Sequence, residues 1–228
     1  MARHGKNYRE ARALVTKDHY PLEEACELLL QTNKVKFDAT VEMHFNLGVD
    51  PKHADQIVRF TTGLPHGTGK KYNVIALVPD DMADAAKKAG ASEAGLEDLL
   101  EKISKGWMDF DVAVAHPSIM KNIGKVAKQL GQARKMPNPK AGTVTDDIEG
   151  AIADILKGQI EVRTDKQANL HNVIGKISFG AEKIQENAQT LIDAVRENKP
   201  EGSKGTYIKS ITITSAMGPG IHVELLAQ

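Results

Sequence analysis

The chain reads as two folds in one: an α+β domain assembled from both chain ends, residues 1–66 and 159–228, and an α/β domain inserted between them, residues 67–158. Three observations predict this. The length, 228 residues, admits one or two domains at about 150 residues each. The terminal sections carry strands that alternate apolar and polar residues, the mark of a sheet with one wet face. The middle section alternates short apolar strands with helices, the rhythm of a parallel or mostly parallel sheet.

In the first section a basic, polar leader precedes a helix predicted over residues 21–31. Leu22, Ala25, Cys26 and Leu29 share one face, and Pro21 suits the first helical position. Residues 39–47 alternate strictly: Ala39, Val41, Met43, Phe45 and Leu47 point one way, and Thr40, Glu42, His44 and Asn46 the other. Asp50-Pro51 marks a turn, and residues 57–64 return as a second strand.

In the middle section residues 72–78 form an apolar strand, and residues 80–90 an Ala/Lys helix closed by Gly90. Leu96, Leu99, Leu100 and Ile103 mark a helix closed by Gly106, and residues 110–115 a second buried strand. Residues 117–130 are predicted as one helix, with Ile119, Ile123, Val126, Ala127 and Leu130 on one side. Beyond a Pro/Gly-rich loop, Ile148, Ile152, Ile155 and Leu156 mark the last helix of the insert.

The third section returns to the first style, with short strands over 159–164 and 169–177. Ile184, Ala188, Leu191, Ile192 and Val195 stripe a helix. Residues 206–215 are a β-branched strand, with Tyr207, Ile211 and Ile213 on one face and Ser210, Thr212 and Thr214 on the other. Residues 221–225 follow the Gly218-Pro219-Gly220 turn as an edge strand. The two crossings, near residues 66 and 159, are the expected hinges.

Apolar residues make up 41% and charged residues 26%, a globular balance. Thirty Lys+Arg face thirty Asp+Glu, so bulk charge does not coat nucleic acid and any such site is a local patch. The single cysteine, Cys26, excludes an intramolecular disulfide framework and fits a reducing compartment. The start is polar, and the clearest apolar run, residues 74–79, is far short of the ~20 residues that span a bilayer. The expectation is a soluble cytoplasmic protein, monomeric when free, with no membrane contact.

Enzyme signatures are sparse. Residues 63–70, GLPHGTGK, glance at a phosphate loop, but the spacing is off by one and Lys71 stands where a hydroxyl residue belongs. A strand follows where the phosphate would need a helix N-terminus, so a flexible interdomain turn is the better reading. No dinucleotide fingerprint and no nucleophile elbow occurs. No two of the eight histidines lie three or four residues apart, so no helix face offers a metal a His pair. Cys26 lies on an apolar helix face as a buried small hydrophobe. No catalytic residue, metal or cofactor is expected.

Charge is nevertheless segregated. From Val112 to Thr145 there is no acid, while Lys121, Lys125, Lys128, Arg134, Lys135 and Lys140 all occur. Lys121, Lys125 and Lys128 follow i, i+4, i+7 spacing, which lines one helix face. That stripe is either a phosphate-backbone contact or a solvated helix face. A second candidate lies on the terminal domain, where the polar faces of residues 39–47 and 206–215 carry hydroxyl and amide groups. Phe37 precedes one strand and Met217 follows the other, where they can pack against ribose or bases. The alternative is an ordinary wet sheet with a core Phe.

Several segments carry a family likeness: FDATVE at 37–42, LPHGTGK at 64–70, KGWMDFD at 105–111, MPNPK at 136–140, GKISF at 175–179, GTYIKS at 205–210 and MGPG at 217–220. In this order, and over nearly the whole chain, they resemble the bacterial large-subunit ribosomal protein L-one family. The resemblance implies a split α+β domain and an inserted Rossmann-like domain that binds no dinucleotide. It implies binding to large-subunit ribosomal RNA at the mobile stalk beside the exit site, contact with departing deacylated tRNA, and repression of translation through the protein's own mRNA leader. It places the principal RNA surface on Lys36, Phe37, Thr40, Ser210, Met217 and Gly218, with Lys166, His171 and Lys176 nearby. Arg134, Lys135 and Lys140 would give a weaker contact.

Two departures stand out. Ala216 replaces the family's usual threonine before Met-Gly, which removes one hydroxyl contact. Gly131-Gln132-Ala133-Arg134-Lys135 replaces the family's Gly-Pro-Arg-Gly-Leu, which keeps the charge but not the loop's detail. The rival reading is an α/β enzyme acting on a phosphorylated small molecule, supported by the glycine-rich turn and the middle fold alone.

Overall fold

The computed structural model describes residues 5–225. In chain order the elements are helices α1 (Lys6–Leu14) and α2 (Leu22–Thr32), strands β1 (Thr40–Leu47), β2 (Arg59–Gly63) and β3 (Val74–Leu77), helix α3 (Asp80–Lys88), strand β4 (Glu93–Gly95), helix α4 (Glu97–Ser104), strand β5 (Val112–Ala115), helices α5 (Met120–Ile123), α6 (Ala127–Gln132) and α7 (Ile148–Lys157), strands β6 (Gln159–Arg163) and β7 (Asn169–Lys176), helix α8 (Gly180–Glu197), and strands β8 (Ile208–Ser215) and β9 (Ile221–Val223). The fold is mixed: α+β from the chain ends, α/β in the middle. It divides into two compact units, one reaching up to Gly69 and resuming at Ile160, the other spanning Lys70–Gln159.

The split unit is built on a four-stranded sheet of order β7-β1-β8-β9, with every neighbouring pair antiparallel. Alternation along β1 decides its two faces. Val41, Met43, Phe45 and Leu47 are buried and share one cluster with Ala25, Cys26 and Leu29 of α2 and Ile184, Ala188, Leu191 and Val195 of α8. Burying each of the larger side chains stabilises the fold by about 1.5–3 kcal/mol. Burial in that cluster pushes the Cys26 thiol up to about 12, which keeps it protonated and inert. The opposite face of β1, carrying Thr40, Glu42, His44 and Asn46, stays partly open to solvent. Strict alternation fails in β8, where the register slips between Asn46 and Leu47 and the bulge turns Ile208 as well as Ile211 inward, and in β7, where it slips between Val41 and Glu42 and buries both Ile174 and Gly175.

The inserted unit has a parallel sheet of order β4-β3-β5, with apolar clusters on both faces. Ile75 and Leu77 join the cluster of α4, while Val74, Ala76 and Val78 join that of α3 and α7. A sheet covered on both sides needs an unbroken apolar strand, which is why β3 does not alternate.

Several expectations change. The polar leader is helical, α1, with Ala11 its one buried residue. The single helix expected over residues 117–130 is broken: a short 3-10 turn leads into α5, and a second turn through Gly124 separates α5 from α6. Lys125, Val126 and Ala127 donate to carbonyls three residues back, so the chain tightens there. Gly124 keeps right-handed helical angles, φ −51° and ψ −32°, so only its low helix propensity marks the point. Leu156 is exposed rather than part of the α7 stripe. The last strand ends at Val223, not at residue 225. The short strand β4 lies between two helices where no periodicity marks it.

The glycine-rich turn is tethered rather than loose. The buried Asn187 of α8 accepts from the His66 N–H (3.0 Å) and donates to the Gly67 and Ile174 carbonyls (3.0 and 2.7 Å). No helix starts after it, so it presents no phosphate cradle. Among the described residues no helix is long and apolar enough to cross a membrane.

Candidate nucleic-acid interface

Three strand ends meet at one end of the four-stranded sheet. Thr40, which opens β1, pairs with Lys176, which closes β7; Val41 pairs with Ser215, which closes β8. Whatever precedes β1 or follows β8 is therefore delivered to the same place. Lys36 and Phe37 arrive just before β1, and Met217 and Gly218 turn back just after β8. Phe37 is 55% and Met217 80% exposed, the two highest values for large apolar side chains among the described residues.

Backbone ties make this end rigid. Ala216 N donates to Thr40 O, and Ile177 N to Ala39 O, each at 2.9 Å. Asp38 accepts from the Ser178 N–H (3.0 Å) and hydroxyl (2.9 Å), with Lys176 Nζ 3.8 Å away. The Ser178 N–H above all holds the Asp38 carboxyl below the usual carboxylate range; burial opposes it, and the Ser178 hydroxyl and the Lys176 charge add to it.

Beyond β8 the turn is tight. Gly218 N donates to Ser215 O at 2.8 Å, and a Cβ on Gly218 would collide with Ser215 Oγ, so a larger residue needs that hydroxyl to move. Met217 sits at φ 68°, in the left-handed region that costs a non-glycine residue roughly 1–2 kcal/mol. A strained backbone that holds an apolar side chain out in water is typical of a ligand contact.

The other expected residues are spread along the outer face. Asn46 pairs with Ser210 and with Asn169, six residues from Thr40 and so about 20 Å along the sheet. Lys166 is exposed in the turn just before Asn169, at that same far end. His171 lies between the two ends, directly opposite His44. Lys36, Phe37, Thr40, Lys176, Met217 and Gly218 thus form one cluster, and Ser210, Lys166 and His171 extend it along the face.

On the inserted unit Lys121, Lys125, Lys128, Arg134 and Lys140 are all exposed. Among the described residues none of them has an acidic partner within 4.0 Å. Because of the break at Gly124, the three lysines do not line one helix face. Lys135 does not join them. Its ammonium donates to the Met108 carbonyl (2.9 Å) and the Phe110 carbonyl, and stands 5.0 Å above the Phe110 ring. It serves as an internal strut. Among the described residues no three His, Cys, Asp or Glu side chains group as metal ligands.

Residues 29–219 match the model of the ribosomal protein L1p/L10e family. The chain belongs to that family. It is 51% identical over 225 residues to the large ribosomal subunit protein uL1 of Saccharopolyspora erythraea, covering 98% of this chain and 94% of that protein. It is 48% identical over 225 residues to the protein of the same name from Thermosipho melanesiensis, covering 98% and 97%. The family is one of ribosomal proteins, not of enzymes.

Sequence reasoning missed Asp38, His44 and Asn169. Asp38 works as a clamp on Ser178, 140 residues away in sequence, and Asn169 accepts from the Asn46 side chain at 2.8 Å. Strand alternation already places His44 on the outer face, but its partner is set by the β1–β7 register, which local sequence does not encode.

Proposed function

We propose that this protein is a structural constituent of the large ribosomal subunit that binds large-subunit ribosomal RNA at the mobile stalk near the exit site. The observation that carries the reading is the sheet end, which exposed Phe37 and Met217 share with Lys36 and Lys176, in a chain of the ribosomal L1p/L10e family. RNA is recognised largely by shape, by stacking and by sugar contacts, which suits apolar and hydroxyl groups on a rigid sheet. A formally neutral protein has little bulk charge to offer, so these contacts carry the specificity.

Lys121, Lys125, Lys128, Arg134 and Lys140 supply a second, charge-based contact on the inserted unit. Through it the protein assists release of deacylated tRNA from the exit site. The same principal site recognises a look-alike fold in the protein's own mRNA leader and represses its translation. The protein acts in the cytoplasm, on the ribosome, and is monomeric when free.

The test is binding to a transcript of the large-subunit stalk, with a scrambled transcript as control and the mRNA leader as competitor. Preference for the stalk, relieved by the leader, is the expected result. Equal binding to the scrambled RNA overturns the reading.

A further inference from the structure

On the outer face of the sheet, between its two ends, His44 and His171 face each other across β1 and β7. Their Nδ1 atoms are 2.9 Å apart and their rings meet edge to face, with centroids 5.0 Å apart. Each ring turns its Nε2 to a carboxylate: His44 to Glu42 at 3.7 Å, and His171 to Asp165 at 3.5 Å. Four groups are therefore linked in succession: Glu42 and His44 on β1, His171 on β7 and Asp165 in the turn before it.

The proton count of this line is restricted. A carboxylate is negative and accepts only, so each Nε2 is favoured electrostatically when it carries a hydrogen, at ion-pair rather than hydrogen-bond distance. Both Nδ1 atoms are then bare lone pairs at hydrogen-bond distance, and one further proton between them completes the row. With no extra proton, either the two Nδ1 lone pairs face each other or one Nε2 faces its carboxylate as a second acceptor. With two, the Nδ1–H groups collide. The state with one shared proton is the one in which no two acceptors and no two donors face each other.

We propose that His44 and His171 hold one proton jointly, and that RNA docking on this face draws that proton in, so that RNA affinity rises as pH falls through the histidine range. The coupling rests on the RNA reading above; the shared proton does not. Thr40 and His44 are four residues apart, about 13 Å, so RNA seated at the Met217 end and running along the face reaches the pair. The side chains are 28% and 56% exposed, open enough for a phosphate to approach. The titratable groups facing the pair are Glu42 on β1, Asp165 before β7 and, beyond Thr212 of β8, His222 on β9, whose Nδ1 is 3.0 Å from the Thr212 hydroxyl. Burial, and then the charge of His171, hold His44 below its usual value while Glu42 opposes them, as expected of a pair that refuses a second proton.

The experiment is a pH series of stalk-RNA affinity at constant ionic strength, with wild type, His44→Gln, His171→Gln and His53→Gln. Imidazole nitrogen NMR of the free protein runs alongside. We expect wild-type affinity to rise by up to tenfold per pH unit on descending through about 6.5. The slope should flatten in both pair variants and persist in His53→Gln. The NMR titration should show His44 and His171 moving together for one proton in total. A slope unchanged in both pair variants overturns the coupling, and two separate one-proton titrations overturn the shared proton. Absence of RNA binding at every pH overturns the RNA reading together with the coupling, and the NMR titration still decides the pair.

Discussion

The two candidate RNA surfaces are built in opposite ways. The sheet end of the split unit joins residues more than 130 positions apart, Thr40 to Lys176 and Val41 to Ser215, and exposes apolar side chains from a strained turn. The basic surface of the insert is assembled from one stretch of sequence and exposes ammonium and guanidinium groups without acidic partners. The first is a shape that only the completed fold supplies. The second is a charge density that survives small changes of shape, including the break at Gly124. The first should therefore be sensitive to single atoms and the second to salt.

The largest expected effect lies beneath the split unit. Asn187→Ala strips partners from three backbone groups at once, two of them at the glycine-rich turn. It should cost about 3 kcal/mol or more. Circular dichroism in urea should show an early transition, while the fluorescence of the single tryptophan, Trp107 in the insert, should keep its midpoint. A shift of both together would mean that the two units do not unfold separately.

Next comes the contrast between surfaces. Met217→Asp puts a like charge against phosphate at the principal site and should weaken stalk-RNA binding about 10- to 100-fold, roughly 1.4–2.8 kcal/mol. Lys121→Ala should weaken it only a few-fold. Equal losses in a filter-binding assay would erase the distinction between the surfaces.

Met217→Gly sharpens the same point. Glycine relieves the left-handed strain but gains freedom in the unfolded chain, so stability should change by less than about 1 kcal/mol in either direction. RNA affinity should still fall, because the exposed side chain is gone. Thermal melts and RNA titration on the same sample separate the two.

The smallest effect concerns acid. A carboxyl held below its ordinary value contributes stability that is complete above its unfolded value of about 3.9 and is lost as pH falls through the lower folded value. Asp38→Asn should therefore flatten the fall in thermal midpoint as pH drops below about 4. An identical acid profile would mean that the Ser178 clamp adds nothing.

Much of the fold is legible in the sequence because burial has a period. Alternation marks β1, and a solid apolar run marks β3, whose sheet is covered on both sides. The break at Gly124 escapes that logic: Ile123, Val126 and Leu130 are buried on either side of it, so an apolar stripe continues through a helix that does not. β4 escapes too, because Glu93-Ala94-Gly95 carries no apolar period and is a strand only by pairing with β3. At the candidate site, Phe37 and Met217 stand out by their place beside two strand ends and by family likeness, not by periodicity. The Asp38 clamp, the role of Lys135 as a strut and the His44–His171 pair depend on register and long-range packing, which no local window contains.

The most direct test of the account is the salt dependence of stalk-RNA binding, measured for wild type and for Lys121→Ala/Lys125→Ala/Lys128→Ala together. Log affinity falls with log salt by roughly 0.7–0.9 per phosphate neutralised. The account predicts tight, sequence-dependent binding with a shallow slope, about 2–3 in magnitude. The triple variant should lower the slope further while keeping most of the specificity. A steep slope, about 6 or more, with specificity abolished by the triple variant, would show that charge on the insert, and not the end of the sheet, selects the RNA.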